Sequence, residues 1–283
     1  RRELQHRQWF RRTERRGSLR LRIAQFRQGP SPMTAPQFLD ITADRRIAYH
    51  KTTASLENAG CAGVVFLGGF KSDMEGTKAL CIENWARRTG RAFLRFDYTG
   101  HGQSSGAFEG GCIGDWADDA HEALTRLTEG PQILVGSSMG GWISLLLAKA
   151  APDRLAGLVG IAAAPDFTVS MAEEMDDKAR AEMAETGRYA RPSYYSDEPY
   201  VITRKLIEDG ARRLVLTSPL KLGVPVRLLQ GTSDEDVPVD LALRLFDHLE
   251  SPDSRLTLVD GADHRFSGAR ELALLLETIE GLG

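Results

Sequence analysis

The apolar residues of this chain form short continuous runs that alternate with segments of helical periodicity. Residues 63–67 and 155–161 are apolar almost throughout, which is typical of strands buried on both faces of a sheet. Residues 77–89 and 115–128 instead carry apolar side chains at helical spacing, and glycines that stop a helix follow at positions 90 and 130. This alternation predicts an α/β fold in which a mainly parallel sheet is covered by helices on both faces.

The alternation continues over most of the chain after residue 36. We therefore predict one domain over residues 36–283, which opens with a hairpin of residues 38–41 and 46–49. The other predicted strands are 92–98, 132–135, 224–229 and 255–259, and the other predicted helices are 142–149, 239–249 and a last one from residue 270.

The alternation breaks over residues 166–222. Two helical patterns, at 171–185 and 200–208, flank a stretch rich in Tyr, Arg and Pro. Because this segment lies between two predicted strands, we interpret it as a helical lid inserted into the domain. Its larger side chains are candidates either for lining an acyl or aryl pocket or for packing within the lid: Met171, Met175, Tyr189, Tyr194, Tyr195 and Tyr200.

Composition narrows the class of protein. A hydrophobic fraction of 42% suits a globule with a sizeable core, and no apolar run approaches the ~18 residues that a membrane span requires. The three cysteines are far apart and odd in number, so neither a disulfide framework nor a zinc site is indicated. A reducing, cytoplasmic location is therefore predicted.

Positive charge is concentrated at the start of the chain. Residues 1–32 contain ten Arg, no Lys and two Glu, a net charge of +8, so the rest of the chain carries −11 of the total of −3. Three interpretations remain open: a translated leader before a start at Met33, an Arg-rich targeting peptide that would imply mitochondrial import, or a nucleic-acid or membrane-binding arm. In each of them the segment lies outside the fold. The acidic remainder disfavours a nucleic-acid-binding domain.

The strongest chemical signal is the stretch Gly136-Ser137-Ser138-Met139-Gly140. It matches G-x-S-x-G and lies between a predicted strand and a predicted helix, which is the setting of a nucleophile elbow. Glycines two residues before and after Ser138 suit the tight turn. A second match at residues 102–106 is not followed by a helix, so we interpret it as a loop.

A serine nucleophile needs a histidine base, which follows it in the chain order of this fold. Only His248 and His264 come after Ser138. His248 lies within a predicted amphipathic helix, whereas His264 follows the last predicted strand. Since open α/β sheets build their sites at the carboxyl ends of strands, we predict His264 as the base.

The acid is predicted in the loop after strand 224–229. Asp234 is the first carboxylate beyond the strand end, and we favour it over Asp236, which is also a candidate helix cap. The amides of Met139 and Phe70 are predicted to form the oxyanion hole, because one follows the nucleophile and the other follows Gly68-Gly69. Asp97 and His101 are interpreted as a hydrogen-bonding scaffold that supports the elbow loop.

The chain resembles serine hydrolases of the α/β-hydrolase fold over residues 38–280. Five stretches carry a narrower resemblance: residues 76–80, 95–98, 130–138, 140–142 and 263–265. In them the chain is similar to the mitochondrial palmitoyl-protein thioesterases (acyl-glucuronide esterases) of the abhydrolase group and their bacterial relatives. The resemblance implies Ser138 as nucleophile, Asp234 as acid and His264 as base. The chain departs from common patterns of the fold at Gly68 and Gln230.

These observations predict a serine esterase or thioesterase that works through an acyl-enzyme, with no metal and no organic cofactor. The expected substrate is a small-molecule ester or acyl thioester, or an acylated protein, and no nucleic-acid partner is expected. A serine peptidase with the same triad and a non-catalytic binding protein on this fold are the alternatives. The oligomeric state is left open.

Overall fold

The computed structural model describes residues 35–191 and 199–283. The predictions for residues 1–32 and for Tyr194 and Tyr195 therefore lie outside the described residues. The helices are α1 (Thr77–Thr89), α2 (Ile113–Leu127), α3 (Met139–Ala150), α4 (Phe167–Glu173), α5 (Asp177–Thr186), α6 (Arg204–Ala211), α7 (Val239–His248) and α8 (Ala269–Glu280). The strands are β1 (Gln37–Asp40), β2 (Arg46–Thr52), β3 (Gly63–Leu67), β4 (Phe93–Phe96), β5 (Gln132–Ser137), β6 (Leu155–Ile161), β7 (Arg188–Arg191), β8 (Tyr200–Thr203), β9 (Leu220–Lys221), β10 (Val226–Gly231), β11 (Leu249–Glu250) and β12 (Ser254–Val259).

In the described residues the main sheet has eight strands in the order β1-β2-β4-β3-β5-β6-β10-β12, and two small sheets pair β7 with β8 and β9 with β11. The pairs from β4 to β12 are parallel, while β1 and β2 form an antiparallel hairpin at one edge, and β2 is also antiparallel to β4. The predicted hairpin and the mainly parallel sheet are thus confirmed. Parallel pairing gathers the carboxyl ends of β3, β5, β10 and β12 along one edge of the sheet, where the loops that follow them meet.

Helices cover both faces of the sheet, as predicted. On one face α1 and α8 bury Ile82, Trp85 and Leu275 against the strands. On the other face α2, α3 and α7 build a second core that includes the fully buried Trp116 and Trp142. The strands read as continuous apolar runs because the sheet is covered on both sides.

The insertion at residues 166–222 differs from the predicted pattern. The helix expected at 171–185 is divided between α4, which ends at Glu173, and α5, which Asp176 caps by accepting the Ala179 N–H. The helix expected at 200–208 begins only at Arg204, with Thr203 as its capping residue. Residues Tyr200–Thr203 instead form β8, which is antiparallel to β7.

Two further features complete the fold. Cys61 is exposed, Cys81 is half-buried and Cys112 is buried, and all three are free thiols. Among the residues described, none of the helices combines the length and apolar character needed to cross a membrane.

Candidate active site

The turn from β5 to α3 presents Ser138 at the edge of the sheet. Ser138 has φ 54° and ψ −118°, a conformation that few non-glycine residues adopt, and helix α3 begins at the next residue. A Cβ at Gly136 would collide with the carbonyl of Gly140, and one at Gly140 would collide with the carbonyl of Leu67. Both glycines are therefore required by close backbone approach, and the strain at Ser138 is held by the strand and helix around it.

Three side chains predicted from the sequence meet at this turn. His264 Nε2 lies 3.2 Å from Ser138 Oγ, and His264 Nδ1 lies 2.9 Å from Asp234 Oδ2. Because a carboxylate only accepts hydrogen bonds, Nδ1 carries the proton and Nε2 presents its lone pair to the serine hydroxyl. The hydroxyl is thus placed to lose its proton to a neutral imidazole.

The environment of Asp234 favours its charged form. Burial by itself would raise the pKa of Asp234, but hydrogen bonds from the His264 ring and from the Val237 and Asp236 N–H groups outweigh it and lower the pKa below its usual value. Gln230 Nε2 donates to the same carboxylate at 3.1 Å. The Asp234 side chain is fully buried, whereas Asp236 is exposed.

The role of Gln230 was not predicted from the sequence, in which the residue stands out only as a departure from common patterns of the fold. In the structure its side-chain amide bridges Asp234 and the Val237 carbonyl. The signal available was its position at the end of β10, four residues before the predicted acid.

The loop that carries His264 is tied to helix α1. Lys78 Nζ donates to the Arg265 carbonyl oxygen, and Asp263 accepts the Phe266 N–H. Burial lowers the pKa of Lys78 to about 8, although Asp263 opposes the shift. The contact between Lys78 and Arg265 could not be predicted from the sequence, because the two residues are far apart in the chain.

The loop after β3 lies against the nucleophile. A Cβ at Gly69 would be 3.4 Å from Ser138 Cβ, so the backbone there passes directly beside the serine. Phe70 follows, and its ring packs edge-on against Phe108 and Phe167 at centroid distances of 4.8 and 5.5 Å. Met139, the other predicted oxyanion residue, is the first residue of α3.

The turn after β4 supports this loop rather than the elbow that was predicted. Asp97 accepts the N–H groups of Met74 and Gln103, and His101 Nε2 accepts the Lys71 N–H at 3.2 Å. Asp97 and His101 are thus a hydrogen-bonding scaffold, as expected, but through Met74 and Lys71 it holds the loop after β3, and through Gln103 it holds the turn after β4 itself.

Part of the insertion packs onto the site. Phe167 contacts the Phe70 ring and also Trp142 of α3, and Tyr200 contacts Phe70 at 5.9 Å. Met171 and Tyr189 are buried within the core, so they pack rather than line an open pocket. A cavity of about 400 Å³ opens elsewhere in the insertion and is lined by residues of α4, α5 and α6: Thr168, Val169, Ala172, Glu173, Arg180, Ile207 and Ala211.

One cluster offers atoms of the kind that ligate metal ions. Asp234, Asp236 and His264 each present such an atom, and these atoms lie within 4.8 Å of one another. Since the His264 and Asp234 atoms already bond to each other, the cluster is accounted for by an acid–base pair.

The chain is also similar in sequence to known proteins. A sequence profile described as "Alpha/beta hydrolase family" matches residues 64–273. Proteins named "Palmitoyl-protein thioesterase ABHD10, mitochondrial" from Rattus norvegicus and Homo sapiens are 39% and 37% identical over 221 residues, which are 78% of this chain and 74% and 72% of theirs.

Two solved structures are similar over almost their whole length. A putative hydrolase from Agrobacterium vitis S4 is 39% identical with a TM-score of 0.83, covering 89% of this chain and 99% of its own. The alpha/beta hydrolase domain-containing protein 10 from mouse is 35% identical with a TM-score of 0.79, covering 88% and 98%.

Proposed function

The chain belongs to the alpha/beta hydrolase family and is an ester or thioester hydrolase, and from this premise we propose that Ser138, His264 and Asp234 are its catalytic triad. The observation that carries the proposal is the unbroken path of hydrogen bonds from Ser138 Oγ through His264 to the buried Asp234. A serine hydroxyl is a poor nucleophile at neutral pH and becomes effective only beside an oriented base.

The reaction proceeds in two halves. Ser138 Oγ attacks the acyl carbonyl carbon while His264 Nε2 takes the hydroxyl proton. The tetrahedral intermediate collapses when the bond to sulfur or oxygen breaks, and His264 gives its proton to the leaving thiolate or alkoxide. Water then attacks the acyl-enzyme with His264 as base, which releases the carboxylic acid and restores Ser138.

Groups in the site are placed to stabilise the charges that develop during the reaction. The N–H groups of Phe70 and Met139 are proposed to stabilise the oxyanion, which such preorganised donors do without reorganising during the reaction. Asp234 holds the imidazole in the required tautomer and stabilises the imidazolium that forms.

We propose that the acyl group is apolar and that the preferred substrate is an acyl thioester, including one on a protein. The aromatic side chains around Phe70 give the site an apolar wall. The relatives named palmitoyl-protein thioesterases support the same substrate class. The insertion at 166–222 is proposed to act as a lid that would exclude water from the site, since it packs onto Phe70 through Phe167.

A substrate screen tests the proposal. Turnover is measured on acyl thioesters of increasing chain length, on the matched oxygen esters and on a peptide library, with Ser138→Ala as the control enzyme. We expect medium or long acyl thioesters to be cleaved fastest and peptides to be cleaved slowly or not at all. Rapid peptide cleavage without thioester hydrolysis would instead identify a serine peptidase.

The location of the protein is proposed to be cytoplasmic, because its three cysteines are free thiols, which fits a reducing compartment. Mitochondrial import is the alternative. The relatives named above are mitochondrial, and the Arg-rich residues 1–32 have the composition of a targeting peptide. Fusing residues 1–32 to a fluorescent protein, and comparing its distribution with that of the unfused reporter, distinguishes the two.

A further inference from the structure

Ser72 holds the peptide group that joins Gly69 to Phe70. Its hydroxyl donates to the Gly69 carbonyl oxygen at 2.9 Å, and its N–H donates to the same oxygen at 3.2 Å. Because a trans peptide places its carbonyl and its N–H on opposite sides, fixing the Gly69 carbonyl also fixes the direction of the Phe70 N–H. Ser72 therefore acts on one of the two donors assigned to the oxyanion.

His101 holds the next peptide group, which joins Phe70 to Lys71. Its Nε2 accepts the Lys71 N–H at 3.2 Å, and its Nδ1 lies 3.3 Å from the Thr99 carbonyl oxygen. A carbonyl only accepts, so Nδ1 carries the proton and Nε2 is left as an acceptor. Burial lowers the pKa of His101 to about 4, which keeps the ring neutral and preserves this arrangement near neutral pH.

The surroundings of His101 keep its ring in place. The ring is 3% exposed and lies edge-on to Tyr98, Phe108 and Trp116, with centroid distances of 5.0 to 5.5 Å. Phe108 and Trp116 also contact the Phe70 ring. The same packed aromatic rings therefore hold both His101, which is the acceptor, and Phe70, whose N–H His101 helps to orient.

Lys71 adopts a backbone conformation that is unfavourable for lysine. Its φ of 55° is in the left-handed region, which is unfavourable for a non-glycine residue. Such a conformation persists only where neighbouring contacts determine it, and it is found mainly at functional sites. The contact from Lys71 N–H to His101 is one that does so.

We propose that Ser72 and His101 are positioning residues that together aim the Phe70 N–H at the oxyanion. The proposal rests on the function proposed above. Neither side chain is assigned a contact with substrate, and each fixes one of the two peptide groups that flank Phe70. Because the Gly69 backbone passes beside Ser138, a rotation of either peptide group moves the donor relative to the reacting carbonyl.

Matched substitutions separate this role from simple packing. His101→Phe keeps an aromatic ring among Tyr98, Phe108 and Trp116 but removes the acceptor, whereas His101→Gln restores an acceptor near the position of Nε2. Ser72→Ala removes only the side-chain donor. Ser251→Ala is the control, since the Ser251 hydroxyl donates to the Val224 carbonyl at 2.8 Å, a bond of the same kind away from the site.

The measurements are kcat and KM on a medium-chain acyl thioester, and the inhibition constant of an alkyl boronic acid, whose tetrahedral adduct mimics the intermediate. Deleting an oxyanion donor lowers kcat by about 10²–10³, and a donor that is only turned away from the oxyanion should lower kcat by less. We expect kcat to fall about fivefold in Ser72→Ala and about thirtyfold in His101→Phe. KM should change by less than about twofold, and the boronic acid should bind more weakly in proportion to the loss of kcat. His101→Gln should stay within about threefold of the original enzyme, and Ser251→Ala should match it.

Two results would overturn the inference. One is an unchanged kcat in soluble, folded Ser72→Ala and His101→Phe, and the other is a loss of kcat that Ser251→Ala shares. If His101→Phe does not fold, the comparison of Ser72→Ala with Ser251→Ala decides. Turnover that survives in Ser138→Ala would instead refute the proposed function, so the two failures are distinguishable.

Discussion

His264 Nε2 lies 3.2 Å from Ser138 Oγ, although 126 residues separate the two in the chain. The contact exists because β5 and β12 both end at the same edge of the parallel sheet, one delivering the elbow and the other the loop of His264. The fold thus brings a local strand–turn–helix motif together with a loop that carries no motif of its own.

Replacing Ser138 with alanine should abolish labelling by a fluorophosphonate and lower turnover by about four orders of magnitude or more, because a triad acts as a unit. Labelling detected by mass spectrometry and turnover of an acyl thioester are the measurements. Ser137→Ala, at the end of β5, is the matched control and should label normally. Labelling that persists in Ser138→Ala would place the nucleophile elsewhere.

Asp234→Asn should lower kcat by about 10³–10⁴, because an amide no longer holds the His264 tautomer. Asp236→Asn should change kcat by less than about threefold. Asp236 donates to the Asp234 carboxylate through its backbone N–H, which the substitution keeps. Steady-state kinetics of both variants test this. A larger loss in Asp236→Asn than in Asp234→Asn would reverse the assignment of the acid.

The sequence was sufficient for the core of the fold and for the candidate triad. The bounds of α1 could be predicted because Gly76 and Gly90 flank its apolar pattern, and Ser138 and His264 because strand ends and chain order restrict the choices. Contacts that depend on three-dimensional proximity could not be predicted. Ser72 is an exposed loop serine, and only the turn of the backbone brings its hydroxyl to the Gly69 carbonyl.

The insertion was predicted less well, and for a physical reason. Strand β8 is four residues long and continues directly into α6. Its sequence is therefore too short to show the two-residue periodicity of a strand apart from the helical periodicity that follows. It becomes a strand through pairing with β7, a tertiary contact that overrides local pattern. The break between α4 and α5 depends on Asp176, whose capping bond competes with a continuous helix.

The stability of the protein should fall as pH drops from about 7 to 4, in part because of His101. The fold lowers the pKa of His101 from 6.5 to about 4, so the unfolded chain binds the extra proton first and unfolding is favoured as pH falls through that window. At about 1.4 kcal/mol for each pKa unit, the contribution reaches about 3 kcal/mol below pH 4.

Urea unfolding of the original protein and of His101→Gln at pH 7 and pH 4.5 measures this contribution. The difference in free energy of unfolding between the two pH values should be smaller in His101→Gln, which has no group to protonate there. Equal pH dependence in the two proteins would show that His101 does not titrate in this window.

Asp166 joins the two ends of the insertion, and its replacement should loosen the whole segment. Its carboxylate accepts the N–H groups of Val215 and Leu216 at 2.9 Å each, and its φ of 58° suits Asp or Asn better than Ala. Asp166→Ala leaves both donors unpaired and should lower the free energy of unfolding by about 2–4 kcal/mol.

Asp166→Asn keeps one acceptor and tolerates the left-handed conformation, so its loss should be about 1 kcal/mol. Because Phe167 follows Asp166 and packs on Phe70, Asp166→Ala should also raise KM for long acyl thioesters and speed proteolysis within residues 166–222. Asp176→Ala is the control, since Asp176 caps α5 through a single exposed bond to Ala179 and should lower stability by about 1 kcal/mol without changing KM. If Asp166→Ala and Asp176→Ala behave alike in unfolding, proteolysis and KM, the two ends of the insertion are held together by contacts other than Asp166.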